Sequence, residues 1–365
     1  MVQSNNHSGK KKVAILIENG VEDVEFTVPY NGIKQAGIEV VVLGSRMNEK
    51  YKGKRGKLSV QADGTTTEAI AAEFDAVVIP GGMAPDKMRR NPNTVRFVQE
   101  AVQQGKLIAA VCHGPQLIIE GDLLKGKQVT GFIAIRKDII NAGGNYIDEP
   151  LVVDGNFITS REPGDLPIFT TAILSRLGYG GKDAALPDEK DTTAEWWKLA
   201  DAWGGSTKSE IGRGLNTALA GERYSLEALE KYAEKESDTE VKSVFGEMIG
   251  NKQRHIEKLE TYLHRLGEKP SLTANVANQY AKVKTALTGS DDIFQLRSAL
   301  GDVQTGIGDI GNLSAMFTDP VATAIFKQIY HDGLKYEQRL LELYRARLGT
   351  QIQPPKPTTG AAVSM

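Results

Sequence analysis

Cysteine is almost absent from this chain: Cys112 is the only one among 365 residues. An intrachain disulfide is therefore excluded, and the thiol is either a small buried side chain or a reactive group. A single unpaired cysteine suits a reducing compartment, so we expect a cytoplasmic protein.

The chain also lacks a long apolar segment and an excess of charge of one sign. The opening stretch, MVQSNNHSGKKK, is polar, and the apolar run that follows it, residues 13–17, is much shorter than a signal-peptide core or a membrane span. The formal net charge is -2, which gives no electrostatic reason to bind nucleic acid or an anionic membrane. We expect a soluble, unexported protein with neither partner.

Short β-branched runs alternate with helical stretches through the first half of the chain. The runs read VAILI, IEVVVLG, AVVIPGG and LIAAVC, with helical patterns around residues 30–36 and 94–104 between them. Continuously apolar strands are typical of a parallel sheet covered on both faces, whose ligand sites lie at the carboxyl ends of the strands. The fold class predicted here is an α/β flavodoxin-like sandwich.

The composition changes after the amphipathic helix predicted at residues 165–177. A Gly-, Pro- and Asp-rich stretch precedes AEWWKLADAWG, which holds all three tryptophans and is expected to dock against a domain. Helical periodicity then takes over and predicts an all-α four-helix bundle. The predicted organisation is a flexible N-terminus (1–11), an α/β catalytic domain (12–178), a linker with a Trp-rich helix (179–208), a helical bundle (209–348) and a disordered tail (349–365).

Cys112 lies at the end of a predicted strand, in LIAAVCHGP. The turn between strand and helix exposes a side chain at the edge of the sheet, and the positive end of the following helix favours a thiolate. The backbone N–H of His113 is suited to bind an oxyanion formed by attack on a carbonyl group. The Gly81-Gly82 pair ends the preceding strand and allows close backbone approach to a ligand, so Gly82 is the candidate for the second donor.

An acidic cluster follows the first strand: Glu18, Glu22, Asp23 and Glu25. Acidic side chains at the start of a helix are commonly solvated, and we expect this of three of the four.

These segments together resemble the PfpI family of intracellular proteases and deglycases, related to the class I glutamine amidotransferase fold. GVEDVE, IPGGMAPD, VCHGP, INAGG and VVDGNFITSREPGDL occur in the family order over residues 12–178. The resemblance implies that Cys112 is the nucleophile, that Glu22 is the buried acid hydrogen-bonded to it, and that Gly82 and His113 supply oxyanion donors. It also implies a homo-oligomer, a dimer or larger.

Three features bear on the reaction. No histidine lies between His113 and His255, which argues against a glutaminase. Asp86 stands where peptidase members carry a glutamate that orients the adjacent histidine from a neighbouring subunit, and aspartate is one methylene shorter. Phe132, which the resemblance places with Gly81 among the substrate-binding residues, replaces a tyrosine common near the nucleophile, so its hydroxyl is missing.

The resemblance leaves three functions open. We expect first a stress-response hydrolase that acts through Cys112 on small carbonyl compounds or glycated substrates, as a deglycase or glyoxalase III-like enzyme without a cofactor. The second is an intracellular cysteine peptidase that uses Cys112, His113 and Asp86. The third is a redox-sensing or stress-interaction protein in which Cys112 is oxidised rather than turning over substrate.

The helical half resembles ferritin-like bundle domains. Glu222 falls on the apolar stripe of the first helix, but Lys252 and Lys335 stand where di-iron members carry metal ligands, and Val303 and Gln304 lie where a glutamate would be wanted. Ammonium groups repel a divalent cation, so we predict no metal site. Either Glu222, Asp332 and the two lysines form an internal ion-pair cluster beside His255, or the lysines point outward.

Overall fold

The computed structural model describes residues 10–179, 186–271 and 292–348, which form two compact units. The division falls between Thr207 and Lys208, and residues 318–320 belong with the first unit. Residues 1–9 of the predicted flexible N-terminus, residues 180–185 of the predicted linker and the predicted tail lie outside the described residues. The domain limits given above stay predictions.

A seven-stranded sheet lies at the centre of the first unit. The strands of this unit are β1 (Lys12–Leu16), β2 (Glu39–Gly44), β3 (Lys50–Lys52), β4 (Ser59–Gln61), β5 (Gly64–Thr65), β6 (Ala76–Ile79), β7 (Leu107–Val111), β8 (Gln128–Val129), β9 (Asn145–Tyr146), β10 (Leu151–Asp154) and β11 (Phe157–Ser160). The sheet order is β10-β11-β7-β6-β1-β2-β5, and the pairings are parallel except between β10 and β11. The predicted α/β fold with a mostly parallel sheet is confirmed.

Helices cover this sheet, because its central strands are apolar along their whole length. Every residue of β6 is 0% exposed, and so are Val13, Ala14 and Ile15 of β1. The helices of the unit are α1 (Asp23–Gln35), α2 (Ala84–Met88), α3 (Pro92–Gln103), α4 (Pro115–Glu120), α5 (Arg136–Asn141), α6 (Leu166–Arg176) and α7 (Trp196–Ala202).

The Trp-rich segment docks on the α/β unit, as predicted. Trp203 is 5% exposed and belongs to the main hydrophobic core. Its ring packs over Gly32 of α1, and Asn31 donates a hydrogen bond to the carbonyl oxygen of Trp203 at 3.0 Å. Only a residue without a side chain leaves room there, since a Cβ added at Gly32 would lie 2.6 Å from Thr170 Cγ2.

The second unit is helical throughout its described residues. It consists of α8 (Lys208–Lys235), α9 (Thr239–Arg265), α10 (Asp292–Ser314) and the greater part of α11 (Pro320–Leu348). The apolar stripes predicted from the sequence are buried in one core, where Tyr232, Phe245, Leu296 and Leu340 are each 0% exposed. In the parts of the chain that the structure describes, no helix is long and apolar enough to cross a membrane.

Alanine at two helical glycines should change the stability of the two units in opposite directions. Gly32→Ala should destabilise the α/β unit by about 1–3 kcal/mol, because the new methyl group overlaps Thr170. Gly221→Ala in α8 should stabilise the bundle by up to about 1 kcal/mol, because a Cβ there meets nothing within 4 Å and alanine favours the helix. Tryptophan fluorescence and helical circular dichroism during denaturation give the two midpoints, since all three tryptophans lie in the first unit. Two shifts of the same sign would contradict this account.

Candidate active site

Three loops meet at one edge of the sheet because β7, β6 and β1 are neighbours in the parallel order. The loop after β7 carries Cys112, the loop after β6 carries Gly81 and Gly82, and the loop after β1 leads into α1. Isolated bridges join Val21 to Gly82 and to Gly53. The topology thus assembles the segments that the sequence singled out.

The backbone turns sharply at Cys112, which has a left-handed φ of 59°. Its N–H donates to the Ser160 carbonyl at 3.0 Å, and its carbonyl accepts from the Phe132 N–H at 2.9 Å. A left-handed conformation is strained for a residue with a side chain, and its neighbours on both sides hold it. The predicted strand-to-helix elbow at the cysteine is therefore present.

Two backbone N–H groups, those of Gly82 and His113, act on the Cys112 thiol and lower its pKa. Gly82 has φ 71°, and a Cβ added there would lie 2.4 Å from the backbone nitrogen of Glu22. These are the two donors that the sequence proposed for an oxyanion, and the structure brings both to the nucleophile. That these two N–H groups bind an oxyanion during the reaction remains a prediction.

Glu25, and not Glu22, is the acid beside the cysteine. Its side chain is 0% exposed, interacts with the Cys112 thiol, and accepts a hydrogen bond at Oε2 from the Gly81 N–H at 2.8 Å. The other oxygen, Oε1, is buried without a hydrogen-bond partner among the described residues. The assignment of Glu22 was therefore wrong, and Gly81 is unavailable as an oxyanion donor because its N–H is committed to Glu25.

The helical period explains why Glu25 turns inward. The buried positions of α1 include Glu25, Val28, Pro29, Gly32 and Ile33, which recur at steps of three and four. Glu25 stands at the head of this stripe, one turn before its first apolar member. The stripe was visible in the sequence and marks Glu25 as an inward position, but it does not show which side chain Glu25 meets.

Glu22 instead forms ion pairs with the loop between β3 and β4. At the N-cap of α1 it receives Arg55 Nε at 2.5 Å and Lys54 Nζ at 3.4 Å. Asp23 accepts the N–H groups of residues 55, 57 and 58 in the same loop. All four acids of the cluster are buried, with Glu18 only 5% exposed, so the expectation that three are solvated was wrong. Each is buried because it has backbone or cationic partners or, for Glu25, because it can carry a proton.

Burial sets the protonation of the nucleophile and its acid. It raises the pKa of Glu25 to about 8, with a further rise from the charge of Glu22. Burial and the neighbouring Glu25 also raise the pKa of the Cys112 thiol, against the lowering effect of the two N–H donors. The expectation that the helix terminus favours the thiolate was therefore wrong. At neutral pH this pair holds its protons.

His113 is half-buried and faces Phe132, with ring centroids 5.3 Å apart. Burial lowers its pKa, which favours a neutral imidazole at neutral pH. Asp86 has a side chain 65% exposed and pairs with Arg89 at 3.1 Å on its own helix. No hydrogen bond joins Asp86 to His113 within the described chain, and the predicted contact, which would come from a neighbouring subunit, stays a prediction. The substrate-binding role of Phe132 stays a prediction.

The bundle contains the predicted internal ion-pair cluster. Glu222 receives Lys252 Nζ at 2.7 Å and His255 Nδ1 at 2.8 Å, and His255 Nε2 lies 2.9 Å from Asp332 Oδ2. A neutral imidazole has one N–H donor, so two contacts with ionised carboxylates require a protonated ring. The charges of the cluster therefore balance one another.

Two details of the bundle differ from the sequence prediction. No ion pair involves Lys335 in the described chain, where its ammonium lies 6.0 Å from the centre of the Tyr336 ring. Gln304 is exposed, whereas Asp302 accepts the Tyr232 hydroxyl at 2.8 Å. No group of three or more His, Cys, Asp or Glu side chains among the described residues is arranged to hold a metal ion.

Glu25→Gln should remove a pH dependence of stability from the α/β unit. The unfolded carboxyl releases its proton near 4.5 and the folded one near 8, so the folded state binds more protons between these values and loses stability as pH rises through them. The loss between pH 5 and pH 8 is on the order of 3 kcal/mol. Denaturant titrations followed by tryptophan fluorescence measure it, with the exposed Glu100→Gln as the control. A wild-type slope in Glu25→Gln would contradict the assignment.

Glu222→Gln should destabilise the bundle by about 3 kcal/mol, because the buried His255 and the half-buried Lys252 would lose their counter-charge. The matched control is Glu260→Gln, which breaks the more exposed 2.6 Å pair with Arg223 between the same two helices and should change stability by less than about 1 kcal/mol. Circular dichroism at 222 nm follows the bundle. Equal losses of stability in the two variants would show that the buried cluster contributes no more than the exposed ion pair.

The first unit has many sequence relatives. The profile of the DJ-1/PfpI family matches residues 11–176. Protein/nucleic acid deglycase 2 of Escherichia coli is 41% identical over 169 residues, which are 46% of this chain and 98% of that protein. Bacillus subtilis YraA, whose name provisionally describes a cysteine protease, is 42% identical over 167 residues, again 46% of this chain and 98% of that protein.

The two-unit arrangement also occurs in a solved structure. A two-domain protein of Anabaena variabilis with DJ-1/ThiJ/PfpI-like and ferritin-like domains is 81% identical, with a TM-score of 0.91, over 96% of this chain and 100% of that one. A second profile, described as a domain of unknown function (DUF2383), matches residues 210–305. This chain therefore belongs to the DJ-1/PfpI family and carries a second, helical domain after the family domain.

Proposed function

We propose that this protein is a cysteine-dependent hydrolase of small carbonyl compounds, a deglycase or glyoxalase III-like enzyme. The observation that carries the proposal is the proximity of Cys112 to the buried Glu25: a Cβ added at Gly81 would lie 2.9 Å from Cys112 Cβ and 2.7 Å from Glu25 Oε2, and Glu25 Oε1 has no hydrogen-bond partner among the described residues. Relatives named as deglycases, among them that of Escherichia coli, support a hydrolase-like activity at the level of the family.

The first step is attack of Cys112 on an aldehyde carbon. A C–S bond forms, the carbonyl π bond breaks, and the new alkoxide accepts hydrogen bonds from the N–H groups of Gly82 and His113. The thiol proton passes to one oxygen of Glu25 while the proton on the other oxygen passes to the alkoxide. The carboxyl group ends as it began, and the product is a neutral hemithioacetal.

With a 2-oxoaldehyde, the same carboxyl group can complete the reaction. One oxygen of Glu25 takes the proton from the carbon bonded to sulfur while the other gives its proton to the ketone oxygen, which leaves an enediol. Glu25 then gives a proton to the neighbouring carbon and takes one from the hydroxyl on the sulfur-bearing carbon, so that a 2-hydroxyacyl thioester forms. Water then cleaves the thioester to a 2-hydroxy acid and the free thiol. The sum is addition of one water to the 2-oxoaldehyde, and neither a metal nor an oriented imidazole takes part.

A peptidase is the weaker alternative. Hydrolysis of a peptide requires a protonated leaving amine, for which the family uses the histidine and a carboxylate. In this chain His113 is neutral at neutral pH and Asp86 is turned to solvent beside Arg89. A second subunit would have to supply the carboxylate, and we retain the homo-oligomer as a prediction.

A redox sensor is disfavoured for a different reason. Thiols that oxidise readily have a lowered pKa and are accessible to solvent. Cys112 is 7% exposed, and burial together with Glu25 raises its pKa. Oxidation would be slow unless substrate or protein motion changed this environment.

Cys112→Ser should abolish the proposed activity. We expect the purified variant to convert methylglyoxal to lactate at least 100-fold more slowly than the wild type, because a serine hydroxyl is a much weaker nucleophile there. Glu25→Gln should show a similar loss, because an amide cannot exchange the two protons. Glu22→Gln, which leaves the Cys112 contact in place, should retain activity within about tenfold.

Lactate formation is measured directly, and unchanged denaturation midpoints show that the variants are folded. Undiminished lactate formation by Cys112→Ser would rule out the proposal. Loss of activity on a peptide substrate in His113→Gln, with methylglyoxal conversion absent from the wild type, would favour the peptidase.

A further inference from the structure

A loop between β3 and β4 places two cations on Glu22, at the start of the helix that carries Glu25. The Lys54 N–H donates to the Val21 carbonyl at 2.8 Å, and Val21 is bridged in turn to Gly82, the donor to Cys112. Lys54 is therefore tied through one residue to the backbone of the proposed active site.

The loop is rigidly held at this place. Asp23, 4% exposed, accepts three backbone N–H bonds of 2.8–2.9 Å from residues 55, 57 and 58. A Cβ added at Gly53 would lie 2.4 Å from Asp23 Oδ2, so loop and carboxylate are in close contact. The position of Lys54 is thus determined by buried groups and not by its own side chain.

The two cations share one carboxylate. Glu22 contacts both Arg55 and Lys54, at 2.5 and 3.4 Å. The longer contact belongs to Lys54, whose side chain is 49% exposed. Its charge lowers the pKa of both Glu25 and His113, which places the ammonium within electrostatic range of both residues. Asp86 and Asp138 act on His113 with the opposite sign.

We propose that Lys54 is a specificity-determining residue that binds an anionic group, a carboxylate or a phosphate, carried by the carbonyl substrate of Cys112. This deepens the proposed function and rests on it. Glu25 is a neutral acid at neutral pH and the N–H groups of Gly82 and His113 serve the new alkoxide, so neither is assigned to a second, anionic group of the substrate. An exposed ammonium group with a long contact to its own carboxylate can turn to a ligand without breaking the loop.

Alkylation of Cys112 tests the effect of the Lys54 charge without requiring the enzyme to turn over a substrate. Iodoacetate and iodoacetamide both replace iodide with the cysteine sulfur, and they differ in that iodoacetate is anionic. Because Cys112 is the only cysteine, the mass increase of the intact protein reports this residue alone. The ratio of the two rates cancels any change in the pKa of the thiol.

Lys54→Gln should lower the iodoacetate-to-iodoacetamide ratio about fivefold to tenfold. Lys54→Arg should retain the wild-type ratio within about twofold, and so should Lys57→Gln, which removes an exposed ammonium from the same loop. A ratio in Lys54→Gln within twofold of wild type would overturn the proposal. An equal fall in Lys57→Gln would also overturn it, by showing a general effect of surface charge.

Inhibition separates this inference from the proposed function. Glyoxylate, an anionic aldehyde, should compete with methylglyoxal, and Lys54→Gln should raise its inhibition constant about fivefold while the KM for methylglyoxal changes less than twofold. Comparing glyceraldehyde 3-phosphate with glyceraldehyde as inhibitors distinguishes a phosphate from a carboxylate. A wild type that does not convert methylglyoxal refutes the proposed function, whereas the alkylation ratio still decides the role of Lys54.

Discussion

The left-handed backbone at Cys112 is the constraint on which the rest of the site depends. Such a conformation costs about 1–3 kcal/mol for a residue with a side chain, so its surroundings must fix it. β11 accepts the cysteine N–H, Phe132 donates to its carbonyl, and Gly114 has no room for a side chain, since a Cβ there would lie 2.4 Å from the Ile79 carbonyl oxygen. The strain turns the thiol away from the sheet and toward the N–H groups of Gly82 and His113.

Desolvation affects the four acids between residues 18 and 25 differently, because their hydrogen-bond donors differ. Glu18, Glu22 and Asp23 are buried together with donors of their own, from Asn19, Arg55 and the 53–58 loop respectively. Glu25 has only the Gly81 N–H and the cysteine, which do not offset its burial, so it keeps a proton. A neutral acid beside a protonated thiol can exchange two protons with a carbonyl compound without creating a buried charge.

The helical unit also buries an acid, but there cations rather than a proton compensate for the burial. Glu222 is as thoroughly buried as the acids of the α/β unit, yet the pKa of Glu222 is lowered because Lys252 and His255 outweigh its burial. Cations stand there where a metal-binding bundle would need more carboxylates. The result is a balanced set of charges that links α8, α9 and α11 through side chains, and its chemistry is separate from that of the cysteine.

The sequence by itself determined the parallel sheet, the helical second half, the elbow at Cys112 and the pairing of Gly82 with it, because apolar period, strand order and glycine placement are local properties of the chain. It identified Glu222 by the same period. Tertiary structure decided which acid meets the thiol, where Lys54 lies, and that Asp302 rather than Gln304 turns inward. Those outcomes depend on which loop lies across which helix end, and on the desolvation that results, and neither is encoded by the spacing of residues along one segment.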